Sequence, residues 1–212
     1  MRKIFGHRGL PHIYEENTFK SLNKAQEICD FVETDVRITK DEELVLYHDA
    51  EIQTQKIEEL SLSEINELID IEISEIHLVS REQIKGDTNF ELKISSKDDD
   101  LNKVFLEKII NLTNPEDIVS SFDWETILNN RESFKSKYGI LIDKENQLFE
   151  SKAMSNLDEK LMFMVEKEIF YSRNFDLPLE RCVVWTVNDK GEINSVLNMN
   201  VYGVVTDIGD KL

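Results

Sequence analysis

The stretch FVETDVRITKDEELVLYHD, residues 31–49, begins with two acids two residues apart, Glu33 and Asp35, and ends with His48 beside Asp49. Its residues alternate as in a strand, so Glu33 and Asp35 project from one face while Val32, Thr34 and Val36 face away. Two carboxylates held side by side repel each other unless a cation or a proton sits between them. The polar break at residues 39–43, TKDEE, reads as a tight turn. A hairpin centred between Asp41 and Glu42 pairs Arg37 with Leu46 and Asp35 with His48, which would bring a histidine to the two acids.

On the N-terminal side, a short apolar strand runs into His7-Arg8-Gly9, where Gly9 permits a sharp exit. Asn17 or Thr18 then caps a helix reaching about Ile28, with Phe19, Leu22, Ala25 and Ile28 at helical spacing. On the C-terminal side, residues 60–73 look helical, with Ser61 or Ser63 as caps, and the connection onward to Gly86 is polar and partly helical. Strands are expected at residues 89–94, 117–123, 138–142, 182–188 and 201–207. Helices are expected at about 101–112, 124–130, 157–171 and 190–197. Pro115 ends the first of these.

Strands alternating with helices imply parallel strands joined by right-handed crossovers. The expected fold is a (β/α)8 TIM barrel in one domain, residues 1–212, with a short insertion after the second strand. If the segment at residue 46 is only the returning arm of a hairpin, the eighth barrel strand lies hidden between residues 143 and 160. Polar residues gather at the C-terminal strand ends, namely His7-Arg8, Glu33/Asp35, Glu91/Lys93, Asp123, Asn188 and Asp207, where a barrel carries its site. A doubly wound sheet would show a glycine-rich phosphate turn after its first strand, and only Gly9 stands there.

The chemistry follows from the inventory. Glu33, Asp35 and Glu91 form an all-oxygen donor set suited to Ca2+ or Mg2+ rather than zinc. His7 and His48 can serve as base and acid on either side of a phosphorus, because imidazole titrates near neutral pH. Arg8 and Lys93 would neutralise phosphate oxygens. His12 and His77 read as structural. Trp124 and Phe122 read as packing, and Trp185, Asn188 and Asp207 serve barrel architecture and substrate contact equally well.

The chain of 212 residues carries 25 basic against 43 acidic side chains, a formal charge of −18, which argues against nucleic acid or an anionic membrane surface as the main partner. An anionic substrate must therefore be held by a local device. No run approaches the roughly 18 apolar residues of a membrane span. The N-terminal MRKIFGHRGL has no apolar signal core, and Cys29 and Cys182 show neither metal-ligand spacing nor a disulfide framework. The expected location is the cytoplasm.

The ordered set HRG, EENTF, ETDVRITKDEELVLYHD, ELK, SSFD, WTVN and VVTD resembles the glycerophosphodiester phosphodiesterase family from residue 6 to about 207. The resemblance implies a barrel that hydrolyses glycerophosphodiesters to sn-glycerol 3-phosphate and an alcohol with a divalent cation. It implies His7 and His48 as the acid/base pair, Glu33, Asp35 and Glu91 as metal ligands, and Arg8 and Lys93 on the phosphate, with Glu16 in support. It also suggests attack by the neighbouring glycerol hydroxyl through a cyclic phosphate. Three departures stand out. Glu15 replaces the proline of the family's PENT, Glu42 replaces the glycine of its KDG turn, and HLVSREQIKGD replaces its proline-threonine-leucine segment. Two other readings remain open: a same-fold enzyme acting on lysophospholipids or another phosphodiester, and a barrel that binds without catalysing.

Overall fold

A computed structural model describes residues 2–69, 76–94 and 98–212. In chain order its elements are β1 (Lys3–Gly6), α1 (Phe19–Gln26), β2 (Phe31–Ile38), β3 (Leu44–Leu46), β4 (Glu51–Ile52), β5 (Gln55–Lys56), α2 (Leu62–Leu68), β6 (His77–Leu78) and β7 (Thr88–Leu92). These are followed by α3 (Asp99–Leu112), β8 (Ile118–Ser121), α4 (Trp124–Asn129), β9 (Lys137–Ile142), α5 (Gln147–Met154), β10 (Leu161–Glu166), α6 (Lys167–Phe170), β11 (Cys182–Trp185), α7 (Lys190–Asn198) and β12 (Gly203–Thr206). Parallel pairing runs β1-β12-β11-β10-β9-β8-β7-β2 and closes through β1 against β2, which makes an eight-stranded parallel barrel. The β2–β7 connection carries the insertion, whose β3 and β6 extend the sheet antiparallel from β2.

The barrel interior has two tiers. Phe5, Phe31, Ile118, Leu141, Met162, Met164, Val183 and Val205 form an apolar plug, with the Phe5 and Phe31 rings stacked at 4.6 Å. One and two inward positions further along β2 come Glu33 and Asp35, so the polar tier sits at the C-terminal mouth. Outward residues of the same strands, such as Val32, Val36 and Phe90, pack under the helices.

Helix starts follow their caps. Thr18 accepts from the Ser21 N–H, and Ser61 with Glu64 forms a complete capping box at α2. Of the helix expected over 60–73, residues 70–73 lie outside the described residues.

Two expectations are corrected. Residues 157–171 are not one helix, because Leu161–Glu166 is the strand β10 and only Lys167–Phe170 is helical. This is the missing barrel strand, and α5 occupies part of the interval where it was expected. The run LMFMV is buried throughout, with Met162 and Met164 in the plug and Leu161, Phe163 and Val165 under the helices. A strand covered on both faces has no period-2 signature, so its sequence resembles a buried helix.

The hairpin register also differs by one residue. Val36 pairs with Leu46 and Arg37 with Val45, and the Tyr47 N–H donates to the Asp35 carbonyl at 3.1 Å, so Asp35 faces Tyr47 rather than His48. The cause is the loop, which holds three residues (Lys40, Asp41 and Glu42) instead of two. The Glu42 N–H donates to the Thr39 carbonyl at 2.9 Å, the Thr39 N–H donates to the Glu43 carbonyl at 2.9 Å, and Glu42 takes φ +65°. That is a type I turn closed by a left-handed residue, the position that favours glycine. Glu42→Gly is therefore expected to raise the unfolding free energy by about 1 kcal/mol. Urea denaturation measures it, and an unchanged or lower midpoint would contradict the strain.

Candidate active site

Every residue singled out for chemistry reaches the barrel mouth. β1 ends at Gly6 and delivers His7 and Arg8, the latter at φ +49°, while β2 supplies Glu33 and Asp35 and β7 supplies Glu91 followed by Lys93. Oxygens of Glu33, Asp35 and Glu91 all lie within 4.8 Å of one another, and all three residues are buried. At such spacing each pair of unit charges repels by about 3–4 kcal/mol at an effective dielectric of about 20.

Cations are distributed unevenly over these acids. Asp35 takes Lys93 Nζ at 3.0 Å and Arg8 Nε at 3.1 Å, along with the Asn17 amide at 2.9 Å. Lys93 also pairs with Glu91. Glu33 receives only the Arg8 N–H, at 3.0 Å on Oε2, and its buried Oε1 has no hydrogen-bond partner among the described residues. The consequences for ionisation diverge. Burial disfavours the Asp35 anion, but Lys93 and Arg8 overcome it and hold Asp35 below the usual carboxylate range. Burial, then the charge of Asp35, pushes Glu33 up to about 8. Burial raises Glu91 as well, against the pull of Lys93.

The geometry fits a divalent cation. Three oxygen donors converge, one of them aims an unpartnered buried atom, and the set lacks soft ligands. Beside it, a cavity of about 30 Å3 is lined by His7, Glu33, Asn89, Glu91 and Trp185, among others.

Both histidines act on this trio. His7 Nδ1 lies 2.6 Å from Asp207 Oδ1, which leaves Nε2 facing the acids, 3.9 Å from Glu33 Oε2. Burial works against the imidazolium of His7, but the Asp207 hydrogen bond and the Glu33 charge outweigh it and raise its pKa. His48 is more open, with Nδ1 2.8 Å from Asp49 Oδ1, and its charge favours the ionised forms of both Asp35 and Glu91. Glu16 accepts from Arg8 Nη1 at 2.7 Å.

Two contributors, Asn17 and Arg37, were not expected as site residues, and two others, Asp207 and Asn188, read from sequence equally as architecture or substrate contact. Asn17 accepts from the Asp35 N–H and the Thr34 hydroxyl while donating to the Asp35 carboxylate, so it fixes that acid from both sides. It lies in the EENT segment beside Glu16, and the helix-cap role assigned from sequence belongs to Thr18 alone. Asp207 orients His7 and is itself held by Asn188, whose Oδ1 accepts from the Asp207 N–H at 2.9 Å. The clustering of polar residues at strand ends was the signal for both. Arg37 donates to the His48 carbonyl. Asp123, by contrast, caps α4 through Thr126, and Trp124 donates to the Leu141 carbonyl. Phe122 is more open, edge-on to Trp185 at 6.0 Å. His12 pairs with Asp210 at 2.9 Å, and His77 packs on Phe19 at 4.4 Å.

Residues 7–175 match the glycerophosphoryl diester phosphodiesterase family. The chain belongs to that family. By membership it is a phosphoric diester hydrolase. The chain is 28% identical to the uncharacterized protein MG293 of Mycoplasma genitalium, over 96% of this chain and 94% of that protein. A glycerophosphodiester phosphodiesterase of Thermotoga maritima is 27% identical with a TM-score of 0.77, covering 100% of this chain and 96% of the other. An Oleispira antarctica phosphodiesterase, solved with the product sn-glycerol-3-phosphate, shares the fold at 17% identity and a TM-score of 0.75, over 100% and 95% of the two chains.

Asp207→Asn is expected to lower the His7 pKa, since the carboxylate that favours imidazolium is lost. In the metal-free protein, NMR titration of the His7 ring should give a wild-type midpoint above the ordinary 6.5 and a lower one in the variant. The stabilisation from charged His7 is complete below the ordinary value and disappears as pH rises through the raised one. An unmoved midpoint would contradict the assigned hydrogen bond.

Proposed function

We propose that the chain hydrolyses glycerophosphodiesters to sn-glycerol 3-phosphate and an alcohol, with Ca2+ or Mg2+ held by Glu33, Asp35 and Glu91. The observation that carries this reading is the buried trio of acids, one oxygen of it unpartnered, with His7 beside Glu33 and His48 near enough to act electrostatically on Asp35 and Glu91. A bound cation supplies positive charge against the non-bridging oxygens of the phosphate.

Arg8 and Lys93 are already anchored on Asp35, and Arg8 also on Glu16, so they present charge to a phosphate without reorganising. Asp207 holds the Nδ1 proton of His7, so Nε2 is free to take a proton from the attacking hydroxyl. His48 gives a proton to the leaving alkoxide as the P–O bond breaks. If the neighbouring glycerol hydroxyl attacks, a cyclic phosphate forms and water opens it with the two roles exchanged.

The strongly acidic surface is compatible with a small-molecule substrate met through local charges rather than a nucleic acid. No helix of the described residues is long and apolar enough to cross a membrane. The proposal places the work of this one domain, residues 1–212, in the cytoplasm.

The test is to incubate the protein with glycerophosphocholine or glycerophosphoethanolamine, with Ca2+, Mg2+ or EDTA, and to detect released glycerol 3-phosphate. Turnover abolished by EDTA is expected, as is a loss of about 100-fold or more in His48→Ala. Absence of turnover with either substrate while a cation binds would contradict the proposal. So would full activity in His48→Ala.

A further inference from the structure

On the face of β2 that carries Glu33 and Asp35, the next residue of the same parity is Arg37. It is only 6% exposed, and its contact with the His48 carbonyl has no part in the chemistry described above. Its guanidinium points along the strand to the two segments that leave the barrel beside it. Nε and Nη2 both donate to the His48 carbonyl, at 3.0 and 2.6 Å, and Nη1 reaches the Lys93 carbonyl at 3.4 Å.

These contacts stand where the sheet stops holding the chain. The last backbone hydrogen bond from the β3 segment to β2 in the described residues is that of Tyr47 to Asp35, one residue before His48. Lys93 likewise lies just past the end of β7, with its N–H on the Val36 carbonyl at 3.0 Å. A single planar group thus bridges two strand ends 45 positions apart in sequence, His48 and Lys93. Guanidinium suits this task because its fixed fork serves two acceptors at once, whereas an ammonium is a point charge. Burial lowers the Arg37 pKa, opposed first by the charge of Glu58 and then by Asp35, Asp49 and Glu91, and arginine nevertheless stays charged at neutral pH.

We propose that Arg37 is a positioning residue for the reaction, whose guanidinium ties the His48 backbone to the Lys93 backbone and so sets where the histidine stands relative to the Asp35–Lys93–Glu91 cluster. It touches no reacting atom. The proposal rests on the acid/base role given to His48 above. It accounts for how His48 is kept at the mouth even though the hairpin register does not pair it with Asp35. Small displacements of a reacting group are costly to rate while leaving ground-state binding nearly intact, which is the signature to look for.

The experiment compares wild type, Arg37→Gln, Arg37→Lys, His48→Ala and the double variant Arg37→Gln/His48→Ala with glycerophosphocholine and the supporting cation. Both Arg37 variants should keep the wild-type circular dichroism and lose about 10- to 100-fold in kcat, with KM changed by less than about threefold. Arg37→Lys should be the less impaired, because it keeps the charge and reaches one carbonyl. If Arg37 acts through His48, the double variant is no slower than His48→Ala, since a histidine that is absent cannot be misplaced. Wild-type kcat in Arg37→Gln, or losses that multiply in the double variant, would overturn the proposal. So would failure of both single variants to fold, which would make Arg37 a purely structural residue. An inactive His48→Ala beside an active Arg37→Gln removes this inference alone, whereas an active His48→Ala removes the reading on which it rests.

Discussion

Three buried carboxylates within 4.8 Å of one another are the constraint around which the mouth of this barrel is built. Burial and mutual repulsion both disfavour three anions, and the protein compensates them unevenly. Arg8, Lys93 and Asn17 converge on Asp35 and keep it ionised, while Glu33 is left with a single backbone donor and a raised pKa. A trio with every oxygen paired would bind a cation only by displacing those partners. This one is satisfied at one corner and unsatisfied at another, an arrangement that can accept a hard ion in exchange for a proton.

The fold supplies this arrangement through β2. Its first residues close the barrel against β1, its middle pairs with β7 and so sets Asp35 beside Glu91, and its end leaves the cylinder to pair with β3. One strand therefore ties together the segments that deliver His7, Glu91 and His48. The apolar plug beneath, from Phe5 and Phe31 to Met164 and Val205, closes the base of the polar tier. Around the mouth, Asp207 orients His7 and Asn17 orients Asp35, so the groups nearest the acids are held by hydrogen bonds rather than by packing alone.

Much of this was legible from the sequence, and for physical reasons. Period-2 alternation placed Glu33 and Asp35 on one face, and the strand-end positions of His7, Arg8, Glu91 and Lys93 put them at one mouth. The family resemblance from HRG to VVTD added the fold, which the closed barrel bears out. What could not be read depended on tertiary context. The register around Glu42 turned on whether the loop held two residues or three, and a left-handed glutamate gives no sequence signal for the choice. Strand β10 was hidden because a run buried on both faces has no distinguishing period. The partnership of Asp207 with His7 joins segments 200 positions apart, which no local pattern announces, and that of Arg37 with the His48 carbonyl depends on the hairpin register that Glu42 hides.

The central claim is that the acid trio binds a hard cation by displacing a proton. Calorimetric titration of the metal-free protein with Ca2+ and with Mg2+, repeated in buffers of different ionisation enthalpy, measures binding and proton release together. Burial and the Asp35 charge raise the Glu33 pKa above the usual carboxylate range, so binding near neutral pH should release protons, the release should diminish as pH rises, and affinity should rise with pH. Glu33→Gln should remove most of that release and weaken binding. Binding without proton release at pH 7, unchanged in Glu33→Gln, would contradict the account.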